Sequence, residues 1–252
     1  RLFGIVEEGI VYQQAEGFQW GINQKAKTLF IQGGNIASDG NCMPWEEYKN
    51  SINLIVLSDR TDAIGEDAFQ RFGELVRVSI PSSAETFISN PLTECEKLED
   101  AEASESASGY TTEDSVMFNK DKTILIACPL TKSGNYEVPN GVEEIRERAF
   151  FGCKQLENVV LPCSVRKIGA STFEDCTNLK SVTIKGKVDV IMERVFYGCT
   201  NLNSFEYGEI AAIEGNVFTN TKVKFGKRLL ESMNLDNSEE VTDFVRREAS
   251  SE

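Results

Sequence analysis

The sequence has 252 residues and 40% hydrophobic side chains, which is enough to build one large core or two small ones. Asp and Glu outnumber Lys and Arg by 40 to 26, and the resulting net charge of −14 argues against nucleic-acid partners and anionic membrane surfaces. The chain has no histidine, which removes the commonest general base and most mixed zinc sites, and no apolar run approaches the roughly 18 residues of a membrane span.

The N-terminal part of the chain is predicted to form a β-hairpin. Residues 18–22 and 28–31 have side-chain patterns typical of strands, and a short polar turn separates them. Trp20 and Trp45 are the two tryptophans of the sequence. We expect both to pack over the first repeat as core residues.

A regular repeat runs through most of the remaining chain. Each copy starts with an apolar anchor and continues with apolar residues at +5, +8 and +11 and a strand-like pair at +14 and +16. The anchors are Ile64, Phe87, Ile145, Ile168, Ile191 and Ile213, and the copy that starts at Ile213 is incomplete, with only Phe218 following the pattern. The steps from 64 to 87, from 145 to 168 and from 168 to 191 are equal, and the step from 191 to 213 is one position shorter. We call this common step the repeat period. Self-similarity at such a period indicates a solenoid.

Each copy is predicted to form one coil, with a strand and a short helical or 3-10 turn that leads back. The segment around Val182 and Ile184 alternates as a strand does, and Pro81 and Pro162 follow two of the strands and end their ladders. One coil cannot bury its own apolar edge, so neighbouring coils share a core. Residues one repeat period apart should therefore lie side by side, about 4.7–4.9 Å apart.

Two segments depart from the repeat. Residues 99–114 are rich in Glu, Ser and Ala without an apolar period, which predicts a mobile loop, and 116–118 and 123–126 are predicted to be the strands of an inserted hairpin. After residue 226 the repeat stops, and Ser238 is a candidate N-cap of a short amphipathic helix. This tail either closes the last coil, which we favour, or binds elsewhere.

Several long stretches share one pattern. VEEIRERAFFGCKQLENVVLPCSVRKIGASTFEDCTNLKSVTI (142–184) and AIGEDAFQRFGELVRVSIPSS (63–83) resemble the repeat of the BspA-like leucine-rich repeat family, I-G-x-x-A-F-x-x-C-x-x-L-x-x-V-x-I-P-x-S-V. Residues 17–59 are similar to that family's N-terminal cap and 110–145 to its hairpin insertion, so that the resemblance covers about residues 17–225. The resemblance implies a surface or secreted protein with a role in adhesion and protein binding.

We therefore predict an α/β repeat solenoid, a leucine-rich repeat fold with short strands, short helical or 3-10 turns, an N-terminal β cap and an inserted β-hairpin. The predicted divisions are a hairpin cap (1–51), first repeats (52–103), a loop and hairpin insertion (104–137), a second block of repeats (138–225) and a C-terminal helical cap or tail (226–252).

Four of the seven cysteines occupy one repeat column, namely Cys95, Cys153, Cys176 and Cys199. A zinc site would need tight pairs such as C-x-x-C, and a nucleophile would need an activating base or cationic pocket. A disulfide framework is disfavoured because the total of seven cysteines is odd and the thiols of the column point the same way from adjacent coils. Phe72 stands in the same column, so we interpret these residues as buried filler beside a core ladder of phenylalanines. Cys163 lies outside the column, and we expect it to be exposed and reactive.

Two sets of residues are candidates for recognition. Glu143, Arg166 and Asp189 share one column and Glu144 and Lys167 another, so stacked coils place opposite charges side by side. These columns are either solvated ion pairs or part of a recognition face. Because solenoids bind along an extended sheet face, the outward strand positions are the predicted binding residues. They are Arg77, Ser79, Asn158, Val160, Ser181, Thr183, Ser204 and Glu206.

The sequence predicts no catalytic, cofactor-binding or metal-ligating residue. The absent histidine, the repeats and the family resemblance favour a non-catalytic protein-interaction or adhesion module, with a protein partner and without a cofactor, nucleic acid, membrane span or small-molecule ligand. The alternative is a scaffold subunit of a larger assembly, which docks through the hairpin insertion and the tail. An enzyme is the least favoured class.

The cellular location is open between two interpretations. The resemblance implies secretion or the cell surface, whereas seven cysteines without a disulfide pattern suit a reducing compartment and an intracellular assembly. The chain starts at Arg1 without methionine and without the apolar segment of a signal peptide, so either a leader was removed or the sequence was trimmed.

Overall fold

In the computed structural model, the residues described are 10–36, 43–58, 60–65, 68–81, 83, 86–87, 90–103 and 109–224. The chain divides into two compact units, Arg1–Thr131 and Lys132–Glu252, and each contains stacked β-solenoid turns. The predicted helical tail with its N-cap at Ser238 lies outside the described residues, as does Cys42. Within the described ranges, no helix has the length and apolar character needed to cross a bilayer.

The first unit begins as an antiparallel meander and continues as a parallel stack. In chain order its strands are β1 (Gln13–Gln14), β2 (Gln19–Asn23), β3 (Thr28–Gln32), β4 (Asn35–Ile36), β5 (Leu54–Leu57), β6 (Ala63–Ile64), β7 (Arg77–Ile80), β8 (Thr86–Phe87), β9 (Asp100–Ala103), β10 (Tyr110–Glu113), β11 (Val116–Asn119) and β12 (Ile124–Ala127). β1, β2 and β3 pair antiparallel, and β5, β7 and β9 follow in parallel. β4, β6 and β8 form a shorter parallel row.

The register of the parallel stack follows the repeat. Ile55 pairs with Val78 and Val78 with Ala101, so each step is one period of the sequence. These side chains are buried in the core of the unit. β7 ends at Ile80, directly before Pro81, which confirms the predicted end of the ladder.

The insertion is a three-stranded antiparallel sheet of β10, β11 and β12. The prediction of a mobile loop at 99–114 is wrong for two parts of that range, because β9 and β10 are strands. Tyr110 explains why β10 is ordered, because its ring is fully buried and its hydroxyl donates to the carbonyl oxygen of Pro81 at 2.9 Å. This anchor depends on a residue 29 positions away, which a local apolar period does not reveal.

The second unit consists of two parallel rows of strands. In chain order they are β13 (Gly134–Glu137), β14 (Glu144–Ile145), β15 (Leu156–Leu161), β16 (Lys167–Ile168), β17 (Ser181–Val188), β18 (Val190–Ile191) and β19 (Ser204–Ile210). β13, β15, β17 and β19 form the longer row, and β14, β16 and β18 form the shorter one. β15 ends directly before Pro162, as predicted.

The segments that return from the strands are successions of tight turns, so the prediction of an α/β fold is wrong. The described residues contain no α-helix, and their single 3-10 helix, Glu46–Tyr48, precedes the repeats. Arg148 and Gly152 both have left-handed backbone angles, and a right-handed helix cannot pass through them. The amide of Phe150 donates to the carbonyl of Thr172 in the next coil at 2.9 Å, whereas the amide of Phe151 donates to the carbonyl of Arg148 in its own turn at 3.1 Å.

A ladder of stacked phenylalanine rings forms the centre of the second unit. The ring centroids of Phe150 and Phe173 are 4.7 Å apart, those of Phe173 and Phe196 are 5.5 Å apart, and those of Phe196 and Phe218 are 5.5 Å apart. All four side chains are fully buried. The predicted core ladder is confirmed, and the column is not a binding stripe.

Trp45 takes the same place in the first unit. Its ring stacks on Phe69 with centroids 5.9 Å apart, and its indole N–H donates to the carbonyl oxygen of Ala68 at 3.1 Å. Trp20 packs edge-on against Trp45 at 6.2 Å. Both tryptophans are buried, as predicted.

Candidate binding surface

The outward side chains of the second unit lie in two straight rows across its parallel strands. The rows are Asn135–Asn158–Ser181–Ser204 and Glu137–Val160–Thr183–Glu206. We call these eight residues the outer face of the second unit. All of them are partly or fully exposed, because successive side chains of a strand point to opposite sides of the sheet. The structure thus brings six of the predicted binding residues into one surface.

Hydrogen bonds between its own side chains fix the first row. The side-chain amide of Asn158 donates to Oδ1 of Asn135 at 2.6 Å, and the hydroxyl of Ser181 donates to Oδ1 of Asn158 at 2.6 Å. In the second row, Glu137 forms an ion pair with Lys185 at 2.6 Å. These contacts restrict the rotamers of the side chains that they join.

Arg77 and Ser79 lie on β7 of the first unit, and only Arg77 is exposed. Ser79 is 2% exposed, so its predicted exposure is wrong. Ser79 pairs with Val56 and Val56 with Phe30, which places the serine in a row of buried outward side chains. Strand alternation assigned Ser79 to the correct side of the sheet but could not show that this side is covered.

Two neighbouring pairs in the predicted charge columns form ion pairs. The guanidinium of Arg166 bonds both carboxylate oxygens of Asp189, at 2.7 and 3.1 Å, and the ammonium of Lys167 lies 3.4 Å from Glu144. Glu143 contacts Arg166 through the backbone, where its carbonyl oxygen accepts the Arg166 amide at 2.7 Å.

Further ion pairs that join residues one repeat period apart were not predicted. They are Lys97–Glu74 at 2.7 Å, Lys180–Glu157 at 2.7 Å and Arg71–Glu94 at 3.1 Å. The ammonium of Lys97 lowers the pKa of Glu74 through a hydrogen bond and its charge. These side chains are well exposed, so the pairs add little stability. Counting one repeat period along the sequence from each charged residue would have predicted these ion pairs.

Arg194 joins two coils through a contact that the repeat period could not predict. Its guanidinium makes two hydrogen bonds to the carboxylate of Glu174, whose side chain is 9% exposed, and lies 3.9 Å from the ring centroid of Tyr197. The hydrogen bond to Glu174 is the main cause of the raised pKa of Arg194. The two residues are 20 positions apart, so no column of the repeat brings them together.

The cysteine column is a ladder of hydrogen bonds from thiols to carbonyl oxygens of the preceding coil. The pairs are Cys95 to Phe69 at 3.1 Å, Cys176 to Phe150 at 3.1 Å and Cys199 to Phe173 at 3.0 Å. A small side chain with a weak donor therefore suits this column.

Burial suppresses the chemistry of these thiols. It raises the pKa of Cys95 to about 12, and it raises the pKa of Cys176 strongly as well. Both thiols stay protonated at neutral pH, and only the thiolate is a nucleophile or metal ligand. Cys163 is exposed, as predicted. Across the described ranges, no three side chains of the metal-binding types are grouped to hold an ion.

Several solved structures are similar to this chain. A leucine-rich repeat protein from Eubacterium ventriosum is 16% identical, with 89% of this chain and 92% of that chain covered and a TM-score of 0.39. The pneumococcal vaccine antigen PcpA is 15% identical, with 86% of this chain and 89% of that chain covered and a TM-score of 0.49. A leucine-rich repeat protein of T. pallidum is 20% identical, with 90% of this chain and 97% of that chain covered and a TM-score of 0.44. No curated protein matches the chain by sequence.

The family match covers the repeats directly. Residues 47–136 and 126–228 match the model described as the BspA type leucine rich repeat region, in 6 copies. Together these ranges contain well over half of the 252 residues. The chain therefore belongs to the BspA-type leucine-rich repeat family.

Proposed function

We propose that this chain is a non-catalytic protein-interaction and adhesion module that binds a protein partner through the outer face of the second unit. The observation that carries the proposal is the alignment of eight outward side chains in two rows on four parallel strands. A surface of this kind presents chemically different groups at fixed spacings, which suits recognition of another folded surface.

The chemistry of the outer face favours a partner of mixed polarity. One row is polar and uncharged, whereas the other combines the carboxylates of Glu137 and Glu206 with the apolar side chain of Val160. Most of the side chains are short, so little rotamer entropy is lost when they are covered. Arg77 on the first unit is a second, separate point of contact in this proposal.

The chemistry of the cysteines and carboxylates supports a non-catalytic role. The sequence has no histidine, and the cysteines with shifted pKa values are held in the protonated form by burial. Acids are abundant, but carboxylates such as those of Asp189 and Glu157 lie in exposed ion pairs between neighbouring coils. The leucine-rich repeats themselves are typical of protein binding.

The scaffold alternative receives less support from the insertion. Tyr110, Met117 and Ile126 belong to the buried core of the first unit, so these side chains are not available to dock a neighbour. A deletion of 110–138 would therefore remove part of that core, and its effect on assembly could not be separated from unfolding. The other docking element of that alternative, the tail, lies outside the described residues.

We also propose a location at the cell surface or outside the cell, because the family resemblance implies it. The high net charge of −14 suits an exposed, soluble module. Fractionation of the native cells with surface biotinylation tests this proposal. Protein found only behind an intact membrane would contradict it.

The binding proposal is tested with a matched pair of variants. Thr183→Arg places a long cation in the centre of the outer face, and Thr200→Arg makes the same change at an exposed turn of the same unit. Both are applied to an array of matrix proteins and glycans on which the native chain shows binding. We expect Thr183→Arg to abolish binding and Thr200→Arg to retain it, with unchanged circular dichroism for both. Equal binding by the two variants would refute the assignment of this face.

A further inference from the structure

The outer face of the first unit is apolar and is covered by the chain's own N-terminal segment. Phe30, Leu54 and Val56 point to this side of the sheet and are 3%, 9% and 7% exposed. The side chains of Ile10 and Tyr12 pack against them. We call residues 10–12 the strap and the three side chains beneath it the strap seat.

A glycine makes room for the strap. Gly21 pairs with Phe30, and Phe30 pairs with Val56, so this outward row begins with a residue that has no side chain. A Cβ at Gly21 would lie 2.5 Å from Cγ2 of Ile10 and 3.1 Å from the carbonyl oxygen of Val11. The strap thus occupies the space that any other residue would fill, as expected where a second backbone approaches a strand closely.

The strap buries little of its own surface. It directly precedes Gln13 and Gln14, which pair with β2. Val11 is 81% exposed, and Ile10 and Tyr12 are only partly buried. A segment with so little buried surface opens at a lower free energy than the core on which it lies.

From these contacts we propose that the strap seat is a docking surface for an extended segment of a protein partner with apolar side chains two residues apart. The strap itself defines this chemistry, since Ile10 and Tyr12 occupy the seat while Val11 between them faces solvent. In this proposal the strap blocks the seat until a partner segment replaces it. The proposal relies on the proposed function only in assuming a protein partner.

Thiol labelling tests whether the strap controls access to the seat. Leu54→Cys introduces a thiol into the seat, and the exposed Cys163 serves as an internal reference for reagent activity. Ile10→Ser with Tyr12→Ser weakens the strap, whereas Val11→Ser removes an apolar side chain from the same segment without touching the seat. We expect the double substitution to accelerate labelling of the introduced thiol by roughly tenfold and Val11→Ser to leave it unchanged. Equal rates in both backgrounds would overturn the proposal.

A peptide in trans tests whether the seat binds a segment of this chemistry. The probe is a fluorescein-labelled peptide of residues 9–15, GIVYQQA, followed by fluorescence polarisation. We expect saturable binding to the chain with Ile10→Ser and Tyr12→Ser, and none for a peptide with serine at both of those positions. Absence of binding by the first peptide, or equal binding by both, would contradict the proposal.

Substitution of Gly21 decides whether the peptide uses the strap's own place. Gly21→Val, added to the strap-weakened chain, fills that space and should abolish peptide binding. Gly73→Val is the matched control, because the atom nearest to its added Cβ is 3.7 Å away. Intact buried-tryptophan emission shows that each variant is folded, and binding that survives Gly21→Val in a folded chain refutes the seat. No external partner enters these tests, so their outcome is independent of the Thr183→Arg experiment.

Discussion

Removal of the Cys176 thiol tests whether the cysteine column is structural. In Cys176→Ala, the carbonyl oxygen of Phe150 loses the thiol at 3.1 Å but keeps the amide of Cys153 at 3.0 Å. Because one of the two bonds remains, the lost hydrogen bond costs about 0.5–1 kcal/mol rather than the full penalty of an unpaired carbonyl. The vacated sulfur position costs about 1 kcal/mol more, similar to one buried methylene group. We expect a total loss of about 1–2 kcal/mol in the free energy of unfolding.

Urea titration followed by far-ultraviolet circular dichroism measures this loss. Both tryptophans lie in the first unit, so circular dichroism, to which the strands of both units contribute, is the more direct measure for Cys176. Cys163→Ala is the control, because its exposed thiol should cost less than about 0.5 kcal/mol. Cys176→Ser keeps a hydrogen-bond donor, so its free energy of unfolding should fall by less than that of Cys176→Ala. If Cys176→Ala matched the control, or if serine were no better than alanine, the hydrogen-bond interpretation of the column would be refuted.

Three further predictions concern Cys95, Phe173 and Gly186. Burial raises the pKa of Cys95 from 9.0 to about 12, so the folded chain keeps a proton that the unfolded chain releases, and stability should fall above pH 9 by about 1.4 kcal/mol per pH unit. Urea midpoints from tryptophan fluorescence between pH 8 and 10 should show this slope, and Cys95→Ala should flatten it. Phe173→Ala should cost about 3–5 kcal/mol by urea titration, because it opens the centre of a stacked ladder, and a loss near 1 kcal/mol would show that the core is not packed as described. Gly186→Ala should cost about 1–3 kcal/mol, since its Cβ would lie 2.6 Å from backbone atoms of Cys163, whereas Gly215→Ala meets no atom within 4 Å and should melt like the native chain.

The features that were predictable from sequence are those that repeat with the period. Residues one repeat period apart lie side by side in neighbouring coils and form a column. The phenylalanine ladder, the cysteine column and the Arg166–Asp189 pair can therefore be found by counting along the chain by one repeat period. Proline positions such as Pro162 mark strand ends for a local steric reason. Such features need no knowledge of the rest of the chain.

The absence of helices was not predictable in the same way. The apolar spacing of the return segments is compatible with a helical turn, but left-handed residues at Arg148 and Ser171 interrupt it. Glycine would have signalled this conformation, whereas arginine and serine carry no such signature. Interactions between distant positions were missed for a related reason. The strap over Val56 and the Arg194–Glu174 contact depend on packing that no periodic pattern describes.

The two rows of the outer face differ in how far the chain itself satisfies their side chains. Asn158 and Ser181 bond to neighbours in their own row, so that row is largely satisfied by the chain itself. The adjoining row consists of Glu137, Val160, Thr183 and Glu206, which pair with one another from strand to strand. Its chemistry thus changes from carboxylate to apolar to hydroxyl and back to carboxylate. No packing requirement within the chain accounts for that variation, because these side chains are partly or fully exposed. The specificity of the proposed module should therefore reside in the row of Val160, Thr183 and Glu206, with the asparagine–serine row as its rigid support.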